Sequence, residues 1–231
     1  MKSAIPWLIE KGGWEDNLFF PELGVGLVTV PKAANTSLKF ELLRLLPPSV
    51  QQFVEKKIEV AGDSQAIHGA LRSTSYRCEK GRLLQPDVDL ILTTTRNPID
   101  RLTSFYFDKV LGDGWPIHLL NEMKFIYGFD KTSSFRDVAV TIANCPDQFS
   151  EIHFRSQTGI VGRDVLGDKR LRVIRTEAFF DDFTSICEEM NWALEPRGRM
   201  NKSNSSPLNL DSRLKNLIET RYRSDYESFY S

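Results

Sequence analysis

The sequence predicts an α/β protein, one domain over residues 1–231, with three layers: a central, mainly parallel sheet and helices on both faces. Two segments, Gly24–Leu46 and Leu90–Val110, each read as a short apolar β-branched run, a turn and an amphipathic helix in immediate succession. Strands alternating with helical patterns are the signature of a parallel sheet. A third apolar run, Leu171–Ile174, is followed by the helical stripe Phe179, Phe180, Phe183, Cys187 and Met190, which reads as core.

In the first segment Val25, Leu27, Val28 and Val30 suit a buried strand. Pro31-Lys32-Ala33-Ala34-Asn35 then turns the chain, and Asn35 or Thr36 can cap the helix that follows. Leu38, Leu42, Leu45 and Leu46 fall on one face of that helix until Pro47-Pro48 ends it. A helix starting there presents backbone N–H groups and the positive end of its dipole, so the turn can hold an anion. Lys32, Thr36 and Ser37 add an ammonium and two hydroxyls. On this segment alone an anion-holding turn and an ordinary connection with a surface lysine stand level.

The second segment breaks the tie. Leu90–Thr95 is a strand, Asn97 an N-cap and Pro98 a first helical residue, with Leu102, Phe105, Tyr106 and Val110 as the buried helix face. Arg96 falls where a parallel strand meets a helix, the ligand edge of open α/β sheets, and a guanidinium there can grip a phosphate with two hydrogen bonds. Ser104 follows on the same helix.

Together VPKAANTSLK and RNPIDRLTSFY resemble the nucleotide-binding signatures of the sulfotransferase superfamily. The resemblance is closest to the carbohydrate sulfotransferases, whose second motif Arg-x-Pro-x-x-Arg-Leu-x-Ser-x-Tyr is met by Arg96, Pro98, Arg101, Leu102, Ser104 and Tyr106. It implies a P-loop-like sulfotransferase fold and 3′-phosphoadenylyl sulfate (PAPS) as co-substrate, without a metal. Lys32, Ala33, Ala34, Asn35, Thr36 and Ser37 would hold the 5′-phosphosulfate, and Arg96 with Ser104 the 3′-phosphate. Ala66-Ile67-His68-Gly69-Ala70 is similar to the His-Gly-His segment of uronyl 2-O-sulfotransferases, which implies His68 as catalytic base, although Ala70 stands where that family has its second histidine. His153-Phe154-Arg155-Ser156-Gln157 resembles a His-Trp-x-x-Gln-like segment and makes His153 the second candidate. Val173–Glu177 is similar to the family's next strand with its glutamate, and Tyr222–Phe229 to its closing helix.

Composition agrees with a compact enzyme. The 231 residues are 41% hydrophobic, enough for a real core. No apolar run approaches the roughly 20 residues of a membrane helix, and no signal core follows Met1, which points to the cytoplasm rather than to an excised Golgi domain. Cys78, Cys145 and Cys187 form no disulfide framework, and three histidines without a Cys-x-x-Cys make no metal constellation. Asn35-Thr36-Ser37, Asn201-Lys202-Ser203 and Asn204-Ser205-Ser206 match the glycosylation pattern, but a glycan on Asn35 would block the phosphate loop. A net charge of −1 lacks the basic excess usual for nucleic-acid partners. The cations of Arg163–Arg175 read as a solvated face.

Ser134 with Asp137 predicts a capped helix carrying Val138, Val140 and Ile142. Arg197–Pro207 is a polar loop that could close over the nucleotide, with Lys202 and Ser203 as its candidate contacts. Asp211 caps a final helix whose face is Leu214, Leu217, Ile218, Tyr222 and Phe229.

Three function classes compete: sulfuryl transfer from PAPS to a hydroxyl acceptor such as a carbohydrate, phosphoryl transfer by a P-loop kinase, and nucleotide binding without catalysis. The kinase reading needs a glycine-rich loop and a metal-holding aspartate near a strand end. This loop has no glycine, Arg96 follows the second strand, and Asp87 and Asp89 precede it. Sulfuryl transfer is the preferred class. Lys32 would steady the charge growing on the leaving phosphate oxygen, and His68, then His153, would take the acceptor proton.

Overall fold

A computed structural model describes residues 16–114, 117–197, 208 and 210–231. It is α/β, built on one open five-stranded sheet in the order β3-β1-β2-β4-β5. The strands are β1 (Asn17–Phe20), β2 (Val25–Val28), β3 (Arg77–Cys78), β4 (Leu90–Thr95) and β5 (Leu171–Arg175). β2, β4 and β5 run parallel, as expected, with Val28 beside Thr93 and Thr95 beside Arg175. The sheet is nevertheless mixed, because β1 pairs antiparallel with both β2 and β3. The tight Pro21–Gly24 turn sets the first of these pairings: Gly24 adopts φ 64, and an added Cβ there would run into the Asp89 carboxylate.

The described residues fall into two compact units. One comprises residues 16–95 and 160–197, holds the whole sheet, and packs Leu18, Phe20, Leu27, Leu38, Leu42 and Leu92 into its core. The helix Phe179–Glu189 supplies Phe179, Phe183, Ile186 and Cys187 to the same core, so the predicted stripe is core, although Phe180 points to solvent. Of the cations after Arg163, Arg172 pairs with Glu189 and Arg175 with Asp182 towards solvent, whereas Arg170 is half-buried, pairs with Asp168 and also donates to the carbonyls of Gln85 and Val88.

The other unit comprises residues 96–114, 117–159, 208 and 210–231. Its core joins Leu102, Phe105, Tyr106 and Val110 to Val138, Ile142, Phe154, Leu214, Ile218 and Tyr222. The helix Pro98–Phe105 continues as a wider π-helical stretch, Tyr106–Leu111. Ser134 and Asp137 form the expected capping box on Phe135–Ala143, with Val138 and Ile142 buried and Val140 exposed. Asp211 caps Ser212–Arg221 by accepting from the Leu214 N–H. The final helix is two helices rather than one, because Tyr222, at φ −108 and ψ 26, breaks it before Arg223–Phe229. Among the described residues no helix is long and apolar enough to cross a membrane.

Candidate functional site

β2 ends at Val28, and the chain reaches the helix Asn35–Leu43 through a turn in which Lys32 (φ 65) and Ala34 (φ 56) are both left-handed. Neither residue type favours that region, and such backbone persists only where its surroundings enforce it. The expected side-chain cap is not formed. Ala34 occupies the N-cap position and Asn35 is already helical, because the left-handed residue itself swings the chain into the helix. The first N–H groups of a helix have no partner within it, so this start presents donors beside Lys32, Thr36 and Ser37. Ala33, Asn35 and Ser37 are buried, which leaves no room for a glycan on Asn35.

Three buried side-chain oxygens in this region make no hydrogen bond: Thr29 Oγ1, Asn35 Oδ1 and Thr95 Oγ1. Thr29 follows β2, Thr95 closes β4, and Asn35 opens the helix, so all three lie where parallel strands deliver the chain to one sheet edge. Thr184 Oγ1, on the helix Phe179–Glu189, shares the condition elsewhere. A buried polar group without a partner costs about 1–3 kcal/mol, and each native instance calls for an explanation such as a bound molecule.

His68, on the short helix Ala66–Arg72, is brought to the first turn of the helix Asn35–Leu43: its Nε2 lies 3.1 Å from Thr36 Oγ1. Its Nδ1 lies 3.0 Å from Lys39 Nζ. Lys39 is fully buried and donates to Asp16 at 2.9 Å, and Asp16 also accepts from Arg72 Nε at 2.8 Å. Burial pushes the Lys39 ammonium below its usual range against the opposing pull of Asp16. Burial pushes the Asp16 carboxyl up, but Lys39 and Arg72 together bring it below its usual range.

In the other unit, Arg96 is held by its backbone. Gln157, wholly buried, accepts from the Arg96 N–H at 2.9 Å and donates to its carbonyl at 2.9 Å. Asp225, equally buried in the closing helix, accepts from the N–H groups of Gln157 and Thr158 at 2.9 and 2.8 Å. Asn97 caps the helix Pro98–Phe105 through the Ile99 N–H, as expected, and Ser104 is buried on that helix. Arg101, the second arginine of the motif, is a brace: its guanidinium donates to the carbonyls of Arg155 and Ile152 at 2.7 and 3.0 Å. It thereby fixes the turn that carries His153, whose Nδ1 meets the Glu151 carboxylate at 2.8 and 3.0 Å. Burial pushes Glu151 up, but the charge and hydrogen bonds of His153 hold it below the usual carboxylate range.

The structure thus joins His68 to Thr36 in one unit and ties Arg96 to Gln157 in the other. Lys202 and Ser203 lie outside the described residues. Sequence reading missed Lys39, Gln157 and Asp225 as supports. Lys39 lay hidden among the leucines of its helix, and the other two act across 61 and 68 residues. Compared with known proteins, the chain matches no family model, no curated protein and no solved structure.

Proposed function

We propose that the chain is a sulfotransferase that moves the sulfuryl group of PAPS to a hydroxyl, most simply that of a carbohydrate. The observation that supports this reading best is the strained, glycine-free turn at residues 31–35 with the three partnerless oxygens of Thr29, Asn35 and Thr95 around it. Two of those oxygens are hydroxyls able to donate to an anion, and Asn35 Oδ1 can accept from a bridging water. The residues therefore fit an oxyanionic donor.

When bound, PAPS supplies the sulfuryl group and, as leaving group, adenosine 3′,5′-bisphosphate. Lys32 and the N–H groups at the start of Asn35–Leu43 hold the 5′ side. The acceptor oxygen bonds to sulfur as the bond from sulfur to the phosphate oxygen breaks, and Lys32 stabilises the charge arriving on that oxygen. Arg96 and Ser104 hold the 3′-phosphate, with Gln157 fixing the backbone from which Arg96 projects. A histidine takes the acceptor proton.

The test is turnover with labelled PAPS over a panel of glycans and simple alcohols. Label should pass to at least one hydroxyl acceptor while adenosine 3′,5′-bisphosphate accumulates. Bisphosphate release no faster than in buffer, across the whole panel, overturns the reading.

A further inference from the structure

The two candidate histidines are held by partners of opposite kind. His68 Nδ1 faces Lys39 Nζ, a donor, whereas His153 Nδ1 faces the carboxylate of Glu151, an acceptor. We infer that the two are fixed in opposite tautomers, so that His68 is a hydrogen-bond donor that positions Thr36 and not the base of the proposed transfer.

The chain of bonds begins at Asp16. Its carboxylate receives Lys39 Nζ at 2.9 Å and Arg72 Nε at 2.8 Å, so it is a charged acceptor between two cations. Lys39, with no exposed surface, needs that carboxylate as counter-ion, and one of its remaining N–H groups points along the 3.0 Å contact to His68. A neutral imidazole carries one proton on its two nitrogens. With Nδ1 accepting from Lys39, the proton is on Nε2, and the 3.1 Å contact runs from Nε2–H to Thr36 Oγ1. Thr36 can then donate to Gln65 Oε1, 3.4 Å away. Asp16 therefore sets the direction of every bond as far as the phosphate turn.

A base must offer a lone pair to the acceptor proton. The His68 lone pair is turned to Lys39 and its proton to Thr36. His68 aligns the hydroxyl of Thr36, at the start of the helix that follows the turn, and is a positioning residue. At His153 the carboxylate of Glu151 keeps a proton on Nδ1, the opposite nitrogen from that of His68. Arg101 holds that turn through the carbonyls on either side of His153. The roles in transfer rest on the sulfotransferase reading, but the tautomers do not.

The test is a long-range nitrogen–proton correlation spectrum of the ¹⁵N-labelled full chain at neutral pH, with the signals assigned through His68→Gln and His153→Gln. The expected result is His68 protonated at Nε2 alone and His153 protonated at Nδ1. A His68 protonated at Nδ1, or on both nitrogens, overturns the inference whatever the chain binds. Kinetics supply a second arm. His68→Ala should weaken PAPS binding on the order of tenfold, the scale of one hydrogen bond, and His68→Gln, which restores an N–H towards Thr36, should recover most of that loss. If His68→Gln binds PAPS like the wild type yet loses transfer by roughly 10²–10⁴-fold, His68 is the base and the inference fails. If the wild type neither binds nor turns over PAPS, the sulfotransferase reading fails and the spectrum alone decides the tautomers.

Discussion

A lysine and an alanine gain nothing from left-handed backbone, so Lys32 at φ 65 and Ala34 at φ 56 mark where this chain holds a shape that the sequence alone disfavours. Lys32 was legible because its chemistry stands next to a strand end and a helix start. The missing side-chain cap was not, since nothing local distinguishes an alanine that adopts left-handed backbone from one that does not. Lys39 was equally hidden: a lysine amid leucines reads as solvent-facing, and the counter-ion that makes its burial tolerable, Asp16, stands 23 residues earlier. If Lys32 meets charge that develops during transfer, Lys32→Ala should cut turnover about a hundredfold or more and change PAPS affinity far less. Steady-state kinetics beside equilibrium binding separate the two, and near-normal turnover would reduce the turn to a structural feature. A second expectation concerns Asp147, which accepts from the Ser156 N–H and hydroxyl and from Arg221. Burial pushes its carboxyl up, but those bonds hold it below the usual range. A carboxyl with a lowered folded-state value contributes stability that is complete above its unfolded value, about 4, and lost as pH falls through the folded one. Urea titrations between pH 7 and 3 should show stability falling below about pH 4, and less steeply in Asp147→Asn. An equal slope in both proteins would contradict the assignment.

At the scale of elements, what could be read was local. The caps at Asn97, Ser134 and Asp211 each join residues two or three apart, and all three form. β4 follows its β-branched run from Leu90 to Thr95 without error. β1 and β3, four and two residues long, carry too little pattern to announce an antiparallel flank. The support for Arg96 was invisible for a different reason: it is relayed from the closing helix through Asp225 to Gln157, long-range bonds that no periodicity encodes. Gln157→Leu preserves volume but strips the buried Arg96 N–H and carbonyl of their partners. It should lower the unfolding free energy by about 2–6 kcal/mol, the sum expected for two orphaned backbone groups. Denaturant unfolding measures that loss. The same variant should weaken PAPS binding more than binding of adenylyl sulfate, since only PAPS carries the 3′-phosphate assigned to Arg96. Equal weakening of both would make Gln157 a packing residue only.

At the scale of the molecule, alternating strand and helix patterns were enough to predict an α/β protein, and the parallel strands β2, β4 and β5 follow them. The function proposed for that frame stands on whether the turn and Arg96 serve one nucleotide with two phosphate ends. The most direct measurement is calorimetric titration of the full chain with PAPS and with adenylyl sulfate, in the presence of a chelator, for the wild type and Arg96→Ala. PAPS should bind without Mg²⁺ and more tightly than adenylyl sulfate by about 1.5–3 kcal/mol, the worth of a charge-assisted hydrogen bond, and Arg96→Ala should remove that difference. Equal affinity of the wild type for the two nucleotides, or binding that appears only when Mg²⁺ is restored, would contradict the proposal.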